Sequence, residues 1–155
     1  MKTDKHSKKL VEKYGSSILH SGKMEPEKGF RQHGNVSVYD HSVSVAIMCV
    51  KLARYIPAKA DLCSLVRGAL LHDYFLYDWH ISDKSHKLHG FHHARCALKN
   101  AQRDFTLNDI EKNMILSHMF PLNMVFPKYK ESVILCIADK LCAVLEISAG
   151  IFFEN

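Results

Sequence analysis

At 155 residues, 47% hydrophobic and 24% charged, the chain is long enough to bury one core without disulfide or metal staples and too apolar to remain disordered. Its formal charge of +5, set largely by lysines among the first 28 residues, is mild: it suits a small anionic substrate and does not indicate nucleic-acid binding. The opening MKTDKHSKKL lacks an apolar signal core and no stretch approaches the roughly 18 apolar residues of a membrane span, so a cytoplasmic protein with no membrane partner is expected.

Few prolines and glycines and a helical rather than alternating periodicity predict an all-α fold of about six helices. Residues 4–20 form a basic, weakly amphipathic segment with Leu10, Val11, Tyr14 and Ile18 on one side, expected as a peripheral helix. Residues 21–35, with Gly22, Pro26, Gly29 and Gly34, are expected as a loop. On this division, 1–29 is a peripheral helix and loop and 30–155 the single globular domain.

Ser37 with Asp40 predicts a capping box that opens a helix bearing His41, Val45, Met48, Cys49 and Leu52 on one stripe. Pro57 ends it. A second helix is expected from Ala58, carrying Leu62, Leu65, Val66 and Ala69 and finishing at the His72-Asp73 pair. The pattern lapses over 74–90, and a third helix runs from about Phe91 to Arg103 with His92 and His93 at its start. Thr106 with Asp109 predicts another capping box, and the helix behind it sets Ile110, Met114 and His118 on one face before Pro121. A last helix spans about Lys130 to Ile147, apolar nearly all round, with Asp139 among Leu135, Cys136, Cys142 and Ala143. The apolar GIFF at 150–153 either packs back on the core or belongs to an interface. Cys49, Cys63, Cys96, Cys136 and Cys142 all lie in apolar runs with no CxxC pair, which predicts reduced core thiols.

An imidazole or carboxylate on a buried face costs several kcal/mol in desolvation unless it is paired or changes protonation. Four inward stripes here each carry such a residue, and a divalent cation would offset the cost for all of them by binding neutral imidazole nitrogen and carboxylate oxygen together. Neighbouring helical residues diverge by about 100°. His72 and Asp73 therefore either meet one metal from the helix end, or Asp73 bridges two while His72 binds one.

The order His, His-Asp, Asp and the segments YDHSVSVA, GALLHDYF and CIADKLCAVLE resemble the HD-domain superfamily over about residues 30–147. The resemblance implies a compact helical bundle and a metal site of His41, His72, Asp73 and Asp139. HD proteins with two metals recruit further histidines between the motif and the last aspartate, which implies His93 (with His92 as the alternative) and His118. The implied centre is dinuclear, holding Fe, Mn, Ni, Co or Zn, with Asp73 as its bridge and principal catalytic group. Arg31, His92 and Lys140 are the expected contacts of a phosphorylated small molecule, with His33 a further residue that lines the pocket or lies on the surface. His80, His86 and His89 are expected on the surface, and the aromatic LYDW at 76–79 is expected to pack over the site.

The position that carries a lysine in the cyclic-dinucleotide phosphodiesterases of this superfamily is Leu76, and no GYP element occurs, which disfavours that activity. Small stand-alone HD proteins are mostly phosphohydrolases, and the resemblance implies hydrolysis of a phosphate ester, with a nucleotide as the foremost candidate. Two other classes stay open: a dinuclear-iron oxygenase acting on a small polar substrate, and a metal-binding regulatory module without turnover.

Overall fold

The computed structural model describes residues 2–33, 35–75 and 89–153. Its helices are α1 (Lys2–Leu19), α2 (Val38–Ala53), α3 (Leu62–Leu71), α4 (His89–Asp104), α5 (Asp109–Ser117) and α6 (Lys130–Phe153). The expected all-α bundle is therefore what forms. In place of the expected loop over 21–35, a 3-10 turn at Glu25–Gly29 leads into β1 (Arg31–His33), which pairs antiparallel with β2 (Val36–Ser37). Pro26 sets the start of the turn, and the Phe30 carbonyl accepts the Val38 N–H at 2.8 Å, tying the hairpin to α2. Strands of three and two residues are too short to show a period.

Cap chemistry decides where the helices begin. The Ser37 hydroxyl accepts the Asp40 N–H at 3.1 Å as predicted, yet the Asp40 carboxylate takes the Ser37 hydroxyl at 2.7 Å rather than a backbone N–H. The second helix starts later than Ala58 because Asp61 caps it, its carboxylate taking the N–H groups of Cys63 and Ser64. The capping box before α5 belongs to Asn108 and Glu111 rather than Thr106 and Asp109, with both reciprocal bonds present. Asn108 also donates to Ser64 at 2.7 Å, locking the start of α5 to the start of α3.

Between α1, α2 and α5 runs α3, the central helix, with Leu65, Val66, Ala69, Leu70 and Leu71 buried. Close approach is required on two sides. A Cβ on Gly68 would stand 2.6 Å from the Met114 sulfur, and one on Gly15 would stand 2.5 Å from Leu70 Cδ1. The helix expected to be peripheral, α1, sends Val11 and Ile18 into the same core. Arg67 braces three elements, donating to Glu111 at 2.6 Å, to the Thr106 carbonyl at 2.8 Å and to Ser17 at 3.1 Å.

Cys49, Cys136 and Cys142 are buried free thiols, as expected. Cys63 is exposed instead, because it sits in the first turn of α3 where the chain enters from the surface, and Cys96 is half-buried. Among the described residues no helix is long and apolar enough to cross a membrane.

Candidate metal centre

The ends of α3 and α5 are built alike. His72 follows the last residue of α3, and His118 the last of α5. The final carbonyls of a helix lack intrahelical donors, and each ring supplies one: His72 Nδ1 donates to the Ala69 carbonyl and His118 Nδ1 to the Ile115 carbonyl, both at 2.7 Å. A carbonyl only accepts, so Nδ1 carries a proton in each ring and Nε2 faces inward. Asp73 follows His72 into the turn, and the Asn100 amide of α4 fixes this turn by donating to the carbonyls of Tyr74 and Phe75, both at 3.1 Å.

Asp73 lies at the middle of the cluster. Its Oδ1 is 3.3 Å from Nε2 of both His93 and His118. Its Oδ2 is 3.4 Å from His72 Nε2 and 3.9 Å from His41 Nε2. On the far side, Asp139 Oδ1 approaches His41 Nε2 at 3.1 Å and His72 Nε2 at 3.6 Å. All six residues are buried. Five of them form two groups, each compact enough to hold a metal ion: His41, His72 and Asp73, and Asp73, His93 and His118, with the Asp73 carboxylate common to both.

Charge is balanced within the cluster by its own groups. Burial would lower the pKa of His41, but its bonds to Asp139 and Glu146 and the charge of Asp73 raise it to about 10. Against the effect of burial, the charge of His72, with the close approach of His118 and His93, holds Asp73 well below the ordinary carboxylate range, while His41 and His72 do the same for Asp139. Burial lowers His118. The balancing charge comes from His41 and His72, whose pKa values the neighbouring carboxylates raise against the effect of burial.

A family model for the HD domain matches residues 38–144. The chain belongs to the HD-domain family. No curated protein and no solved structure gave a significant match. HD domains are generally metal-dependent hydrolases, and the donors here suit a metal. Among the described residues, His72 Nε2 and Asp73 Oδ1 are buried without a hydrogen-bond partner, and the inward Nε2 atoms of His72 and His118 lie 3.4 and 3.3 Å from the Asp73 oxygens, an arrangement that a cation between them would satisfy. Four imidazoles around the Asp73 carboxylate, with Asp139 beside two of them, are the mixed nitrogen and oxygen set that Fe, Mn, Ni, Co and Zn accept.

The structure brings together His41, His72, Asp73, His93, His118 and Asp139. His93, rather than His92, is the inward histidine of α4, and Arg31 and His92 are exposed. Lys140 differs from expectation: its ammonium donates to the carbonyls of His118 at 3.1 Å and Cys136 at 3.3 Å, because a lysine one residue past Asp139 leaves the helix on another side. It secures the backbone of His118. The side chain of His33 and residues 76–88, with Tyr77, Asp78, His80 and His86, lie outside the described residues, as does the side chain of His89.

Two participants escaped the sequence reading. Gln32 donates to Asp73 Oδ2 at 2.6 Å, from a strand too short to be read as one. Glu146 accepts from His41 Nδ1 at 2.8 Å, fixing the tautomer that turns Nε2 toward Asp139. A signal for Glu146 existed, since it follows Asp139 by two helical turns and shares its side of α6.

Proposed function

We propose that this HD protein hydrolyses a small phosphate ester, a nucleotide being the foremost candidate, at a dinuclear centre. The observation that carries the reading is the Asp73 carboxylate shared by two histidine-containing groups. Two divalent cations held there would acidify a water molecule and offset charge on the phosphoryl oxygens.

His41, His72, His93 and His118 supply neutral nitrogen donors, and Asp73 and Asp139 supply the negative charge. Gln32 and Glu146 restrict how Asp73 and His41 can turn, so the donors stay aligned when the cluster exchanges protons for metal. Arg31 and His92 are the proposed phosphate contacts. Each is exposed and adjoins a residue that touches Asp73, namely Gln32 and His93. An arginine fork suits phosphate by its planar donors.

The test is metal analysis of anaerobically purified protein, followed by turnover assays on phosphate esters with Mn, Fe, Co or Ni. Two metal equivalents and metal-dependent phosphate release are expected. Absence of bound metal, or no turnover on any ester with any of these ions, refutes the proposal. Oxygen uptake by the iron-loaded protein in place of ester cleavage would transfer the assignment to oxidation.

A further inference from the structure

One side of α6 is not accounted for by the metal centre. Asp139 and Glu146 face the centre, with Leu135, Ala138 and Cys142 buried beside them. The opposite side presents Val133, Ile137, Leu141, Val144, Leu145 and Ile147, each between 42% and 62% exposed. These positions recur every three or four residues and so form a single stripe along the helix. Helices apolar all the way round are ordinarily enclosed, and no described part of this chain encloses the stripe. Lys140, the charged residue beside it, folds its ammonium onto the carbonyls of its own chain, which leaves the stripe without a charge pointing outward.

We propose that this face is the two-fold contact of a homodimer, with α6 of each copy lying antiparallel to the other about an axis at Leu141. Ile137 and Leu145 are equally spaced on either side of Leu141, so one two-fold operation sets Ile137 of each copy against Leu145 of the partner subunit. A stripe of aliphatic groups alone is its own complement, and the antiparallel arrangement opposes the two helix dipoles. Half-exposed aliphatic side chains of this number offer about 500 Å² per copy. Pairing two stripes would bury on the order of 1,000 Å², the lower bound for a biological interface, and patches of the stripe's own size on monomers are often functional.

The experiment is sedimentation velocity on the metal-loaded full chain across the micromolar range. A dimer is expected, with Ile137→Glu plus Leu141→Glu converting it to a monomer that keeps its helical circular dichroism and its metal. A wild-type monomer at every concentration overturns the proposal, whether another protein or another part of the chain covers the stripe. So does a dimer indifferent to both charges. Should the double variant fail to fold, Leu141→Cys in a Cys63→Ser background decides: a short bis-maleimide should join copies through residue 141. Linking through Val133→Cys instead, at the end of the stripe, overturns the antiparallel axis.

Discussion

Nε2 of His93 and Nε2 of His118 stand 2.8 Å apart. His118 has its proton on Nδ1, so this contact is held either by a proton on His93 or by a cation between the two rings. The second case extends to Asp73, which is 3.3 Å from each. Asp73→Asn should therefore abolish both metal equivalents, because the amide keeps the volume and loses the charge both groups share. His118→Ala should remove one equivalent and leave the His41 group filled. Metal analysis with circular dichroism checks both, and retention of two equivalents in Asp73→Asn would contradict the shared carboxylate.

Metal removal should make stability pH-dependent with a definite sign. His41 has its pKa raised from 6.5 to about 10 in the metal-free fold. A raised pKa gives stability that is complete below pH 6.5 and is lost as pH rises through about 10. The Tm of chelated protein should accordingly fall across that window. With metal bound, the cation replaces the protons and the decline should vanish. Metal binding should also release protons, so affinity should weaken as pH falls. A chelated protein with flat Tm from pH 6.5 to 10 would contradict the pairing of His41 with Asp139 and Glu146.

Glu146→Gln tests the carboxylate behind His41. Losing such a partner costs roughly 10–100-fold in metal affinity, since the ring is no longer held in one tautomer. The loss should fall on the His41 group and spare the His93 group, which isothermal titration can resolve as one weakened site of two.

The donors were legible in the sequence for a physical reason. His41, His118 and Asp139 interrupt apolar stripes, and a polar group there is costly enough to demand an explanation. The supports were harder. Gln32 sits in a strand too short to show a period, and nothing local relates it to Asp73. Thr106-Asp109 and Asn108-Glu111 both fit the cap spacing before α5, and packing chooses the second: Asn108 donates to Ser64 and Glu111 accepts from Arg67. Proximity to Asp139 in sequence suggests a phosphate contact for Lys140, but chain neighbours on a helix diverge, and its ammonium donates to the carbonyls of His118 and Cys136 instead.

Glu27 is buried, and among the described residues neither of its carboxylate oxygens has a hydrogen-bond partner. Burial, with the charge of Asp73, pushes its pKa well above 4.5. The sign matches that of His41: stability is present below pH 4.5 and declines as pH rises toward the raised value. Glu27→Gln removes the charge at nearly constant shape and should stabilise the protein at neutral pH, by about 1–3 kcal/mol if the carboxylate is ionised there. Denaturant titration at pH 5 and pH 8 checks this; the gain should be larger at pH 8, and an equal effect at both would refute it.

Gly68 offers a test of how the fold sets the centre at a distance from the ligands themselves. A Cβ there would stand 2.6 Å from the sulfur of Met114, so α3 and α5 pack as closely as they do because this position has no side chain. The two helices end in His72 and His118, whose ring centroids are 5.0 Å apart. Gly68→Val should cost about 1–3 kcal/mol from overpacking and push the helices apart, weakening metal binding although no ligand is altered. Adding Met114→Ala frees the space the valine needs, and should restore affinity more than stability because it trades the clash for lost apolar packing. Metal titration and denaturant unfolding of the single and double variants separate the two effects, and full affinity in Gly68→Val would show that the spacing of α3 and α5 does not govern the site.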